Sequence, residues 1–454
     1  MALCLLPTEL ILYLGKFLSN SSLNALMRTQ KWFAQLLTPQ LYGYQISFRE
    51  PQEDFAELDP YDLPLLWFHC VGRWHSDIIL SYFRTSLLRT FTYTDKFGHT
   101  LLHIVAGTAN TELAQILVRK GLNINAKTLN GRTPLFEAVR SKQREMMDYL
   151  LDTGADVMAT ETNGHTLLEE TALFGSGSMV QRLVDALQQK QKLEDQYVNH
   201  EAVSQSSRDK ALHRAIYNGD SVSVRILLDY GANPSSADGY GTTALASSAI
   251  HRRENVIYML LDRGADPLPY DTLGRSAITC AADSRCSWDV VQTLFQAVLN
   301  AGGDITAEPW PGNEYIPLHC FAKRGYLPAV KFLLSHKANA LARTQSGVTA
   351  LQLALFCYSE DPSSYEEVCR LLIEAINAAN DEYDHTLPPL EPLTGGTSLH
   401  LAVRTGSETL VHTLLYSGVD VSAVDGEGRS ALDVARLEGH DVIVKLLSEK
   451  VSLN

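Results

Sequence analysis

From residue 98 onward the hydrophobic positions gather into short helical clusters that return at a fixed interval of 33 residues. "GHTLLHIVA" at 98, "GRTPLFEAV" at 131 and "GHTLLEETA" at 164 follow one another at that interval, as do "RDKALHRAI" at 208, "GTTALASSA" at 241 and "GRSAITCAA" at 274. "EYIPLHCFA" at 314 leads by 33 to "GVTALQLAL" at 347, and "GGTSLHLAV" at 395 leads by 33 to "GRSALDVAR" at 428. Ten units are visible. An eleventh, degenerate one begins near Tyr61, where "LPLLWFHCVGRWHSDIILSYF" keeps the apolar spacing and loses the glycine.

Each unit reads as a pair of short helices. In unit 131, Thr133-Pro134 fits a helix start, with proline at the first helical position and the threonine hydroxyl placed to accept an orphan N–H. Leu135, Ala138 and Val139 then share one face, and "REMMDYLL" supplies a second apolar helix that ends at Gly154. "VSVRILLDYG" and "NVIYMLLDRG" end in the same way at Gly231 and Gly264, where glycine permits a left-handed cap. Unit 314 has Lys337 at that place instead, which costs about 1 kcal/mol if the residue is left-handed. Units 164, 274 and 347 run 44, 40 and 48 residues, and so carry 11, 7 and 15 extra. These extras mark insertions near 190–207, 300–313 and 379–394; the last contains "LPPLEPLTGG", whose prolines read as a loop.

The first 45 residues do not share the period. Leu10, Ile11, Leu14, Phe17 and Leu18 recur at helical spacing, "NSSLNALMRTQKWF" starts a second helix at Ser21 or Ser22, and "WFAQLLTPQLY" supplies a third. Three short helices make a core too thin to stand alone. The chain therefore divides into a helical module over 1–45, a linker over 46–60, the degenerate unit over 61–97 and the array over 98–454.

Composition narrows the function classes. The 454 residues are 45% hydrophobic and 20% charged, as in an ordinary globular protein, and the formal charge of -14 disfavours nucleic acid as a partner. Seven scattered cysteines (Cys4, Cys70, Cys280, Cys286, Cys320, Cys357 and Cys369) form no CxxC pair, which points to reduced thiols and an intracellular, cytoplasmic or nuclear, protein. "LLPTELILYLGKFL" at 5–18 is mostly apolar, but no basic residue precedes Lys16 and Pro7-Thr8-Glu9 interrupt the run, so it is read as retained and not in a membrane. No stretch approaches the roughly 20 apolar residues that cross a bilayer.

Gly131, Thr133, Pro134 and Leu135, followed by Gly154, Ala155 and Asp156, carry a pattern of GxTPLHxA, a second helix and GADxN that resembles the ankyrin repeat family. That resemblance, over about residues 61–454, implies an all-α fold in which helix pairs with hairpin fingers stack into an α-solenoid. The N-terminal residues are similar to the F-box family: Leu6-Pro7, an amphipathic helix, a second helix led by Leu23, the basic-aromatic Lys31-Trp32-Phe33 and a closing Leu41-Tyr42. An F-box before ankyrin repeats implies docking on the Skp adaptor of a cullin-based ubiquitin ligase, with the repeats choosing the target. Leu6, Pro7, Leu10, Ile11, Leu14, Leu18, Leu23 and Leu26 would then contact the adaptor or support the contact. The competing role for the same residues is a cap over the first repeat of a plain ankyrin scaffold.

Catalytic and cofactor motifs are absent. "GYGTTA" at 239 fits a dinucleotide fingerprint but lacks the strand and βαβ unit such a site needs. No HExxH, GxSxG or GxxxxGK occurs, and His319-Cys320 and His69-Cys70 read as structural, so no metal, no cofactor and no enzyme activity are expected; an enzyme would need a site assembled from distant residues. One bias recurs near the end of each first helix: Arg140, Lys142, Arg252, Arg253, Arg285, Lys323, Arg324 and Arg404 stand there against the acids Asp220, Asp283 and Glu438. These cations either form a strip for an acidic target segment or complement the C-terminal ends of helix dipoles.

Overall fold

The computed structural model describes residue 94 and residues 97–194, 203–306, 315–358, 362–379 and 396–453. The module over 1–45, the linker over 46–60, nearly all of the unit over 61–97, and parts of the three insertions lie outside the described residues. Two compact units divide the chain between Tyr230 and Gly231.

In the first unit, helices α1 (Leu101–Ala106), α3 (Pro134–Arg140), α5 (Leu167–Phe174) and α7 (Gln205–Asn218) alternate with α2 (Thr111–Arg119), α4 (Arg144–Asp152), α6 (Gly177–Glu194) and α8 (Ser221–Asp229). Each odd-numbered helix packs on its even-numbered partner and on the odd-numbered helices before and after it, and the even-numbered helices stack likewise. The second unit repeats the scheme. Its first helices are α9 (Ala244–Ile250), α11 (Ala277–Asp283), α13 (Pro317–Lys323), α15 (Ala350–Phe356), α17 (Ser398–Thr405) and α19 (Ala431–Glu438). Their partners are α10 (Glu254–Asp262), α12 (Trp288–Asn300), α14 (Leu327–Ser335), α16 (Pro362–Ala379), α18 (Glu408–Tyr416) and α20 (Asp441–Leu453).

The apolar positions of the motif are the core. Leu102, Leu135, Leu168, Leu212, Leu245, Ile278, Leu318, Leu351 and Leu399 are buried, one in each of nine repeats, and Leu432 in the last is half-buried. In the three units with insertions the added residues lengthen the second helix: α6 and α16 have 18 residues and α12 has 13, against 9 in α4, α10, α14 and α18.

Five first helices, α1, α11, α15, α17 and α19, start with a two-way hydrogen-bond exchange between the first residue outside the helix and the third inside it, a capping box. Thr349 Oγ1 accepts from the Gln352 amide at 3.3 Å while Gln352 Oε1 accepts from the Thr349 amide at 2.9 Å. Ser276 with Thr279 and Ser430 with Asp433 make the same exchange. At two motif histidines Nδ1 takes the acceptor role: the Thr100 amide donates to His103 at 3.0 Å and the Thr397 amide to His400 at 3.2 Å. Their Nε2 atoms lie 3.1 and 2.9 Å from the carbonyls of Arg132 and Arg429 in the next finger, so Nε2 carries the proton. Unit 131 departs from the expected cap. The Phe136 amide donates to the Thr133 carbonyl, and Thr133 Oγ1 is buried without a hydrogen-bond partner.

Between repeats the chain forms tight fingers. Among the described residues these hold isolated bridges, such as Thr160 to Thr166 and Ala237 to Thr243, with no extended strands. Adjacent fingers are joined by backbone bonds: Leu129 N–H to Phe97 O at 2.9 Å, Thr162 N–H to Asn130 O at 3.0 Å, and Thr272 N–H to Tyr240 O at 3.0 Å. Gly131 serves this join twice over, since its φ is +78° and a Cβ there would lie 3.0 Å from the Thr162 nitrogen. The glycine that ends each second helix is different. Gly154 and Gly264 are left-handed, yet nothing lies near the missing Cβ, so conformation alone selects glycine. Lys337 adopts that backbone too, at φ +65°.

Two predictions follow from this geometry. Lys337→Gly relieves a left-handed non-glycine residue in open space and should raise unfolding stability by about 1 kcal/mol, read from the urea midpoint; an unchanged or lowered midpoint contradicts it. His319 is buried, donates Nε2–H to the Ala342 carbonyl at 3.0 Å, and has no partner at Nδ1, because Ile316 stands where other repeats have threonine. Burial pushes its pKa down from 6.5 to about 4, against the carbonyls of Ala342 and Val348. The unfolded chain therefore binds a proton that the folded one refuses, so stability is intact above pH 6.5 and falls as pH drops toward 4. Lowering pH from 7.5 to 5 should cost about 2 kcal/mol through this group, and His319→Gln should flatten that dependence.

Candidate protein interaction face

First helices and fingers carry the exposed side chains that vary from repeat to repeat. At the finger tips, Phe97 and Leu129 of the first unit and Tyr240 and Leu273 of the second are large apolar groups left in solvent, Leu129 at 73% and Tyr240 at 75% exposure. Each pair lies on fingers joined by one of the backbone bonds described above.

The cations expected to form a strip are placed in three different ways. Arg140 is engaged: its guanidinium reaches Glu170 Oε1 at 2.7 Å and lies 4.9 Å over the Phe174 ring. Arg324 pairs with Asp283 at 3.2 Å, Arg404 lies 3.6 Å from Asp425, and Lys323 sits 5.4 Å over the Tyr315 ring. Arg253 is half-buried. Lys142, Arg252 and Arg285 are exposed and stand beyond the helix, in the turn to the second helix, with left-handed backbones at φ 56°, 55° and 53°. They occupy the twelfth position of their units, where Gly219, Gly325, Gly406 and Gly439 are left-handed in others. That alignment is visible in the sequence, but the backbone strain emerges only from the structure. Leu6, Pro7, Leu10, Ile11, Leu14, Leu18, Leu23 and Leu26 lie outside the described residues.

The sequence reading named Asp283 among the acids but missed Glu170 and Asp425, which engage Arg140 and Arg404. Glu169 and Glu170, inside the apolar run "GHTLLEETA", are buried in the first unit, and Arg214 approaches both at 3.6 Å while Arg140 takes Glu170. Two glutamates on a helix that otherwise buries leucine and alanine were the available signal. Asp425 is organised in the same spirit. It accepts from the amides of Glu427 and Arg429 and from the Arg429 guanidinium at 2.8 Å. Burial pushes its pKa up, but those donors outweigh burial and hold the carboxyl below its ordinary value.

Burial pushes the thiols of Cys280 and Cys320 up to about 12 and Cys286 to about 11, far from a nucleophile's range. Among the described residues no group of three His, Cys, Asp or Glu side chains can hold a metal ion, and no helix is long and apolar enough to cross a membrane. Stacked helix pairs with joined fingers and varied exposed side chains define a repeat protein that binds other proteins.

Comparison with known proteins identifies the class. The family model for ankyrin repeats (3 copies) matches residues 85–161, 168–271, 212–309, 278–384 and 364–454, and the chain belongs to the ankyrin repeat family. It is 33% identical over 128 residues to the nuclear factor NF-kappa-B p105 subunit of Rattus norvegicus, covering 26% of this chain and 11% of that one. It is 35% identical over 144 residues to the tyrosine-protein kinase Shark of Drosophila melanogaster (32% and 15%), and 27% identical over 133 residues to the putative ankyrin repeat protein FPV244 of fowlpox virus (29% and 18%). The matches span less than a fifth of the length of these curated relatives. The human ASB11 ankyrin repeat domain aligns with a TM-score of 0.41 at 21% identity, over 51% of this chain and 96% of that domain.

The buried acids give a direct test. Arg140→Ala leaves Glu170 with only the more distant Arg214 and should cost about 1–2 kcal/mol of unfolding stability, less than for a fully buried pair because Arg140 is partly exposed. The double variant Arg140→Ala with Glu170→Ala should recover part of that loss in a thermodynamic cycle; full additivity of the two losses would show that the ion pair contributes nothing.

Proposed function

We propose that this chain is the substrate receptor of a cullin-based ubiquitin ligase. Its residues 1–45 serve as an F-box-like module that binds the Skp adaptor, and its ankyrin repeats bind the protein to be modified. The work is bridging: catalysis belongs to the partners, and the receptor raises the effective concentration of target beside them. Ankyrin membership supports the binding half of this reading. The observation that carries the ligase half is the order Leu6-Pro7, amphipathic helix, Leu23-led helix and Lys31-Trp32-Phe33 directly ahead of the array.

Relatives whose names describe a kinase, a nuclear factor subunit and a viral ankyrin protein all share the array. The array therefore specifies binding as such, and the N-terminal module specifies the assembly. The reading carries no cofactor and no metal, and places the protein inside the cell, in cytoplasm or nucleus. Leu6, Pro7, Leu10, Ile11, Leu14, Leu18, Leu23 and Leu26 form the adaptor surface. The target surface is the finger and first-helix face, including the cations from Arg140 to Arg404.

Retention of purified Skp adaptor by the immobilised full chain tests the proposal. The wild type should retain it, and Pro7→Ala with Leu10→Glu should abolish retention while the helical circular dichroism and thermal transition of the repeats stay unchanged. Absence of retention by the wild type, or undiminished retention by the variant, rejects the ligase reading in favour of a scaffold whose first helices only cap the array.

A further inference from the structure

The chain holds three Asn-Gly pairs, at Asn130, Asn163 and Asn218, all in the first unit. Glycine has no Cβ to shield its amide nitrogen, so that nitrogen can attack the carboxamide of the preceding asparagine and close a five-membered succinimide ring. Closure in a folded protein requires a carboxamide turned back over the next peptide, a polarised carbonyl and room for the backbone to rotate. The three pairs differ in all of these. Asn218 is the last residue of α7, and the Gly219 amide donates to the carbonyls of Ala215 and Ile216 at 2.9 and 3.1 Å, which keeps this backbone helical.

Asn130 and Asn163 stand at the same place in successive fingers, both exposed, with the Gly131 and Gly164 amides each closing a turn at 2.9 Å. The Asn130 tip is clamped by the next finger: its carbonyl takes the Thr162 amide at 3.0 Å, and that nitrogen lies 3.0 Å from where a Gly131 Cβ would stand. No described residue lies within 4 Å of the corresponding point on Gly164. The carboxamides differ as well. Asn163 Oδ1 accepts from the His165 amide at 3.1 Å, which draws the side chain back over the Gly164 peptide. In the earlier finger the equivalent amide, that of Arg132, donates to Thr128 Oγ1 at 3.1 Å instead.

We propose that Asn163 is a site of self-modification, where the folded protein converts asparagine to isoaspartate and aspartate ahead of Asn130 and Asn218. The turn bond from Gly164 to the Glu161 carbonyl opens, the Gly164 nitrogen loses its proton to water and bonds to Asn163 Cγ, the Cγ–Nδ2 bond breaks, and ammonia leaves. Water then opens the ring: attack at the side-chain carbonyl yields aspartate, and attack at the main-chain carbonyl yields isoaspartate. One water is consumed and one ammonia released. The His165 amide already donates to the oxygen that gains negative charge as the ring closes. His165 Nδ1 lies 3.2 Å from Nδ2, and the protonated ring supplies the proton that ammonia carries away. The product places a carboxylate on an exposed finger tip and, as isoaspartate, a methylene in its backbone, so this part of the finger face changes with the age of the molecule. The reaction requires neither Skp nor the target.

The test incubates the full chain near neutral pH and body temperature, then maps its peptides by mass spectrometry over time. Isoaspartate is read separately, as methyl transfer from S-adenosylmethionine by an isoaspartyl methyltransferase. In the folded chain Asn163 should convert at least about tenfold faster than Asn130 or Asn218. In denaturing guanidinium the three rates should converge, because all three pairs share the same dipeptide. Asn163→Gln, whose closure would need a six-membered ring, should remove most of the methyl acceptance, and His165→Ala should slow conversion at Asn163 severalfold with the circular dichroism unchanged. Conversion of Asn130 or Asn218 as fast as Asn163 in the folded chain, absence of isoaspartate at Asn163, or the same ranking in denaturant overturns the inference.

Discussion

A pair of helices seven to nine residues long cannot hide its own apolar side, and every other property of this chain depends on that shortfall. Each repeat becomes stable only when the next covers it, so the leucine of one first helix is buried by the first helices on either side. The stacking must hold a constant register, and here polar groups take over from apolar ones. The fingers are joined amide to carbonyl, and His103 and His400 each bind their own helix start with one ring nitrogen and the next finger with the other. A repeat is thus cemented twice, by burial that has no direction and by hydrogen bonds that do.

The capping exchange shows how loosely chemistry is specified once geometry is fixed. The third helical residue is histidine, glutamine, threonine or aspartate in different repeats, and all of them offer an acceptor to the same backbone amide. At Phe136 the amide turns to the Thr133 carbonyl and the threonine hydroxyl is orphaned. Where the threonine is replaced, as at Ile316, the histidine nitrogen is orphaned instead. Such faults are affordable in a stack because neighbouring repeats share the load, and they concentrate pH sensitivity in single residues such as His319.

Charge follows a similar division. Arg140, Arg324 and Arg404 look interchangeable with Arg252 and Arg285 in the sequence, since all end a first helix in an acidic chain. Arg140 and Arg324 meet Glu170 and Asp283 of other repeats, and Arg404 meets Asp425 of its own, acids 21 to 41 residues away along the chain. These three cations serve the array itself, whereas Lys142, Arg252 and Arg285 stand on exposed left-handed turns. Linear spacing does not say which acid meets which arginine, because that is set by how the chain packs on itself.

The period of 33, the helix starts at threonine or serine, and the glycine that ends each second helix were all legible because they are local demands on the backbone, met by residues a few positions apart. By itself, then, the sequence determined the family and the helix pairs. Tertiary structure alone decided that Thr133 does not cap its helix, that Lys142, Arg252 and Arg285 hold left-handed turns, and that Glu169 and Glu170 sit buried beneath arginines. The first two are backbone outcomes inside a repeat, and the last arises where separate repeats touch, at distances through space that no pattern along the chain records.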